Sequence, residues 1–251
     1  MQQQLPTPQD GQVIYGHGPD TAASVRSFLA NVFSYMTLAL VISGVMAWWF
    51  ASTPSLLIHL FSVDGEGMIT GRSVLGWVVM LAPLGLVFLM GGMMEKMSSM
   101  ALLLAFIGFS AIMGISLCYI FLLYSPEAIV KVFFITAAVF GTMAIAGYTT
   151  KTDLTKLGSI LFIGLIGIVI ASLVNMFLQS DGMGYIISII GVVVFTGLTA
   201  YDVQRLKGMG EMAIAGEEST KKMALMGALS LYLNFINLFL MLLRLFGGNR
   251  D

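Results

Sequence analysis

The sequence predicts an all-α integral membrane protein with seven transmembrane helices. Three observations predict it. Only 10% of the 251 residues are charged while 58% are hydrophobic, against roughly 25% charged in soluble domains. The mean hydropathy is +0.93. Seven apolar runs, at 27–50, 75–94, 101–124, 128–148, 156–178, 184–203 and 223–246, reach the ~20 residues a helix needs to cross a bilayer.

Residues 1–24 precede the first run and are rich in Gln, Gly, Pro and Thr, a composition that reads as a flexible tail. No cleaved signal is expected, because the run that follows is longer than a signal-peptide core. The seven-helix domain then covers 25–248, and 249–251 form a short C-terminal tail. The first run carries Ala39, Ser43 and Ala47 on one face, the third Ser110, Gly114 and Cys118, and the fifth Gly164, Gly167, Ala171 and Asn175. Small residues at these intervals let helix backbones approach where lipid supplies no hydrophobic drive. Pro83 predicts a kink in the second run. The first link, Ala51 to Val74, is polar around DGEG and holds His59; the sixth, Gln204 to Lys222, is the longest on its side. The other links are short and force antiparallel neighbours.

The seventh run breaks the pattern. Gly227, Ser230, Asn234, Asn237 and Arg244 recur at steps of three, four, three and seven, so they share one helical face. A face with two asparagines has no use for lipid. The segment is therefore expected to be central and buried among the other spans. Two readings fit its polar stripe: hydrogen-bonding glue between helices, or an ion or substrate path.

Orientation follows from basic residues. Eight of the twelve Lys and Arg fall on the N-terminal side, among them Arg26, Lys96, Lys151, Arg205 and Lys222. The positive-inside rule then puts the N-terminus inside and the C-terminus outside. Trp48, Trp49, Trp77, Tyr124 and Tyr185 belong to the outer interface, and Tyr148 and Tyr201 to the inner one.

Most chemistry is excluded. A net charge of −1 and a single cysteine argue against a nucleic-acid partner and rule out an intramolecular disulfide. His17 and His59 are isolated and make no transition-metal site. There is no HExxH or GxSxG, no spanning histidine to activate Ser116, and no lysine in the last run for a retinal Schiff base. No catalytic residue, enzyme activity or resident cofactor is expected. Asp202, closing the sixth run in TGLTAYDVQRLK, is the main buried-charge candidate; the plain alternative is a solvated carboxylate paired with Arg205 or Lys207. Lys131 and Arg244 can snorkel to the surface.

The run GALSLYLNFINLFLMLLRLFGG, from Gly227 to Gly248, resembles the C-terminal signature of the Bax inhibitor-1 family. GLTAYDVQRLKGMGE, from Gly197, resembles its second signature. GYTTKTDLTKLGS and the IGLIGIVIASLVNMFL after it resemble the bacterial inner-membrane branch. The resemblance implies two three-helix halves, spans one to three and four to six, around a central seventh helix. It implies a passive, pH-sensitive calcium leak across a bacterial cytoplasmic membrane, with calcium as permeant ion. It also implies a pair of carboxylates near the inner end, one on each of the last two spans, where a shared proton can latch the helices.

Asp202 matches the first carboxylate. Asn234 stands where the family usually has the second, in LYLNFINLF. An amide keeps hydrogen-bonding capacity but does not titrate, so Asn234 is expected to bond Asp202 without a proton from solvent and to alter gating. Asn237 lies one turn on along the same face, and Lys96 falls at an often-basic position of the second link that could latch Asp202. Asp202 would contribute a weak calcium contact at most, since Ca²⁺ takes about six to eight oxygens. The resemblance also carries a second reading, a regulator of a membrane-bound ATP-dependent protease or another membrane protein.

Overall fold

The computed structural model describes residues 21–63 and 69–248. His17, the tail up to residue 20, the DGEG stretch and the C-terminal residues 249–251 lie outside the described residues. Hydrocarbon offers backbone amides no water, so each apolar run closes its own hydrogen bonds as a helix. In chain order the elements are α1 (Thr21–Ala51), α2 (Pro54–Leu60), β1 (Phe61–Val63), β2 (Ile69–Arg72), α3 (Val74–Met93), α4 (Ser99–Leu117), α5 (Ile120–Leu123), α6 (Pro126–Thr149), α7 (Thr155–Leu178), α8 (Asp181–Glu211) and α9 (Glu218–Phe246). Seven spans, with α4 and α5 counted as one, are long and apolar enough to cross a membrane.

Serines start four of the long helices. The hydroxyls of Ser73, Ser98, Ser125 and Ser180 accept the amides of Gly76, Ala101, Ala128 and Met183 at 3.0, 3.2, 3.2 and 3.3 Å. Each such cap is worth about 1 kcal/mol. They fix where the chain re-enters the bundle after each short link.

The packing gives two halves of the same plan. In the first, α4 lies between α1 and α3; in the second, α8 lies between α6 and α7. α9 touches α1, α4, α6 and α8, and 67% of its apolar stretch is buried, against 17% for α3 and for α7. The expected central helix is α9. A glycine brings two long helices into close backbone contact in each half. A Cβ on Gly114 of α4 would lie 2.4 Å from the Ser43 carbonyl oxygen of α1, and one on Gly147 of α6 would lie 2.2 Å from that of Ala200 of α8. Both obstacles are backbone, so neither glycine tolerates a side chain without moving a helix. The expected small-residue faces of spans one and three thus meet each other, and Cys118 is a buried packing residue there. The face expected on span five is less regular: Asn175 is buried, but Gly167 is exposed.

The structure differs from expectation in three places. Thr21–Ser24, assigned to the tail, begin α1. The polar link 204–222 is mostly helix, and only residues 212–217 are left between α8 and α9. The cause is packing beyond the apolar run: Leu206 is fully buried, and Gly210 lies against Val25 and Phe28 of α1. The first link is a short helix followed by an antiparallel two-stranded ribbon in which Phe61 opposes Arg72. The Arg72 guanidinium lies 5.8 Å from the Phe61 ring and 5.0 Å from the Tyr119 ring, which fastens the ribbon to the α4–α5 junction. α3 continues on both sides of Pro83.

Candidate functional site

α9 carries polar groups on two opposite faces, because residues 230 and 234 point one way and residue 232 the other. Each face meets a different half.

On the α8 side, Asp202 is 6% exposed. The Ser230 hydroxyl donates to Asp202 Oδ2 at 2.6 Å, and Asn234 Nδ2 donates to the same oxygen at 2.8 Å. Asp202 Oδ1 pairs with Arg205 one turn along α8 at 3.3 Å, and the Arg205 side chain is 42% exposed. The carboxylate thus receives two donors from α9 and one cation from its own helix. Burial of a charge is tolerated only with such partners. Thr199 takes no part, since its hydroxyl donates back to the Phe195 carbonyl.

The carboxylate–carboxamide contact expected from the sequence is present. Ser230, on the predicted stripe, is a direct partner that sequence reasoning did not assign; its position one turn before Asn234 was the available signal. Arg205, weighed as part of the plain alternative, pairs with a carboxylate that is buried rather than solvated. Lys207 turns away, donating to the Tyr148 carbonyl at 3.0 Å with its ammonium 5.0 Å from that ring. Asn237 donates to the Leu233 carbonyl at 2.8 Å and borders a cavity. Lys96 is exposed beside the end of α3; among the described residues the cation paired with Asp202 is Arg205.

On the opposite face the Tyr232 hydroxyl and the Ser43 hydroxyl of α1 share a hydrogen bond of 2.6 Å. Ser43 also donates to the Ser110 carbonyl of α4 at 2.7 Å. The rings of Phe106 and Phe109 meet Tyr232 edge-on. Tyr232, Ser43 and Ser110 are all buried.

Two cavities lie along α9. One of about 1000 Å³ runs between α3, α7, α8 and α9, and reaches Asp202, Arg205, Ser230, Asn234 and Asn237. The other, about 1080 Å³, lies at the far end of α9 and is bordered by Tyr119, Asn175, Asp181, Tyr185 and Arg244. Among the described residues no three His, Cys, Asp or Glu side chains converge to hold a metal. The Asp202 site offers one carboxylate with neutral oxygens, a set that suits a transient cation contact rather than a tight one.

A bundle of seven spans with a buried carboxylate beside a membrane-embedded cavity is a polytopic membrane protein. Comparison with known sequences narrows the class: the chain belongs to the Bax inhibitor-1 family, since the profile described as "Inhibitor of apoptosis-promoting Bax1" matches residues 25–251. The inner membrane protein YbhL of Escherichia coli K12 is 42% identical over 229 residues, spanning 91% of this chain and 94% of its own. An uncharacterized protein of Borreliella burgdorferi is 45% identical over 226 residues, 90% of this chain and 94% of its own. One of Caulobacter vibrioides is 41% identical over 230 residues, 91% of each chain.

Proposed function

We propose that this protein is a passive calcium leak channel of the bacterial cytoplasmic membrane whose conductance responds to pH at Asp202. Its N-terminus lies inside and its C-terminus outside, so the Asp202 cluster faces the cytoplasm; the membrane is that named for YbhL. No chemical step is catalysed and no cofactor is resident: calcium is the transported ion, and the bilayer the standing partner.

One observation carries the reading: a carboxylate 6% exposed, held across two spans and bordering a cavity in the apolar part of the molecule. Ionisable groups at such depth are expensive and mark ion pathways. Ionised, Asp202 accepts from both Ser230 and Asn234 and ties α8 to α9. Protonated, it loses its charge, its pull on Arg205 and much of its strength as an acceptor. Asn234 donates at every pH. A second carboxylate there would need a proton before it could donate, so the amide moves the acid response away from that of a carboxylate pair. A single carboxylate binds calcium weakly, as a leak requires: an ion must leave as readily as it enters.

The test is calcium flux into liposomes holding only this protein, across about pH 5 to 8. Wild type conducts, Asp202→Ala loses the flux, and Asn234→Asp changes the pH dependence because two close carboxylates then share a proton. Identical pH profiles for wild type and Asn234→Asp would remove the gating role. Absence of flux from protein that co-purifies with a membrane-bound ATP-dependent protease would favour the regulator instead.

A further inference from the structure

The polar stripe of α9 has an apolar interruption. Flanked by Leu233, Leu240 and Leu243, the stripe that borders the two cavities runs Ser230, Asn234, Asn237, Met241 and Arg244. Four are polar or charged. Met241 is not, and it is one of three residues, with Ser172 and Met176 of α7, that border both cavities. The cavities therefore lie end to end along α9, one reaching the Asp202 cluster and the other reaching Arg244, with two thioethers and one hydroxyl at their junction.

Met241 is also seated. A Cβ on Gly191 of α8 would lie 2.8 Å from Met241 Cγ and 3.0 Å from its Sδ. The missing side chain at Gly191 is the notch in which the thioether rests. The next notch along α8, Gly184, receives the Arg244 guanidinium in the same way. A methionine has three rotatable bonds and no hydrogen-bonding demand, so it can leave such a notch at little cost. An apolar constriction between two polar chambers closes a path by excluding water, with no charge required.

We infer that Met241, lodged over Gly191 and bordering both cavities with Met176, is the apolar gate that separates the Asp202 chamber from the Arg244 chamber. As an ion gate the inference rests on the leak reading above; as a barrier to water it can be tested apart from it. The carboxylate cluster then sets the distance between α8 and α9 at one end, while Met241 makes the seal midway.

Cysteine accessibility decides it. On a Cys118→Ala background, Asn237→Cys reports the Asp202 chamber and Tyr185→Cys the Arg244 chamber. A membrane-impermeant, positively charged methanethiosulfonate is added from the Arg244 side of sealed, oriented vesicles. Asn237→Cys should be protected while Met241 is present, labelled once Met241→Ala is added, and protected again with Met241→Leu. Tyr185→Cys should be labelled at one rate throughout, which verifies the fold. In the liposome assay Met241→Ala should raise calcium flux about tenfold. Labelling of Asn237→Cys that ignores Met241, or protection that survives combined Met241→Ala and Met176→Ala, overturns the gate. If that happens while wild type conducts and Asp202→Ala does not, the leak reading stands alone. If labelling follows Met241 but no variant conducts calcium, the seal stands and the calcium reading falls.

Discussion

α9 meets its two neighbouring halves through hydrogen bonds of similar length and opposite character. Towards α1 and α4 it offers Tyr232 to Ser43 at 2.6 Å, in a cluster of neutral groups sealed by aromatic rings. Towards α8 it offers Ser230 and Asn234 to a carboxylate at 2.6 and 2.8 Å, beside a cavity of about 1000 Å³. The first cluster is built of hydroxyl groups and borders neither of the two cavities. It can only position the helix. The second includes a carboxyl group, an exposed cation and open space. Burial alone therefore does not tell the two clusters apart; charge and adjacency to a cavity do.

The comparison is broken most severely at the neutral side. Gly114→Ala drives a methyl group into the Ser43 backbone and should cost about 3 kcal/mol, the upper part of the overpacking range. Thermal unfolding in detergent measures it, and the pH profile of flux in the surviving folded fraction should be unchanged. Asp202→Ala comes next. It strands the Ser230 and Asn234 donors and should cost about 2 kcal/mol, together with the flux. Tyr232→Phe is milder: Ser43 keeps its bond to the Ser110 carbonyl, so about 1 kcal/mol is lost and flux persists. If Tyr232→Phe abolished flux while Asp202→Ala spared it, the assignment of the two clusters would be reversed.

The smallest effect lies outside the spans. The Thr155 hydroxyl and then its amide hold the Asp153 carboxyl below its ordinary range. A lowered carboxyl pKa contributes stability at neutral pH that is lost as pH falls through the lowered value. Thr155→Val should move the Asp153 titration upward by NMR and leave the pH dependence of flux untouched, because Asp153 belongs to the α6–α7 link rather than to either cluster.

Much of this arrangement is legible in the sequence, for identifiable reasons. Polar residues on one helical face of a membrane span are too costly to face lipid, so the stripe of α9 announces its burial. The pairing of Asp202 with Asn234 follows instead from the resemblance to the Bax inhibitor-1 signatures. What escapes is set by distance along the chain. Ser43 and Tyr232 are 189 residues apart, and Ser43 and Ser110 are 67 apart; singly each reads as a small packing residue or an interfacial tyrosine. The extension of α8 to Glu211 is hidden because charges mark the end of the membrane, not of the helix, and Leu206 and Gly210 pack on other elements beyond it. The ribbon of β1 and β2 is hidden by brevity, since three and four residues show no period. Lys96 was placed by analogy of position, whereas the cation beside Asp202 follows from a plain i, i+3 step on one helix.

The two outermost helices have a consequence of their own. α3 leans mainly on α4, and α7 on α8, while most of each surface faces outward. A bilayer thinner or thicker than their apolar length acts first on the elements with fewest neighbours, at a fraction of a kcal/mol per ångström of mismatch. Met176 stands on α7 and Met241 on α9, so a change in the tilt of α7 alters the spacing of the two thioethers. The thickness of the surrounding membrane is thereby mechanically linked to the middle of the molecule.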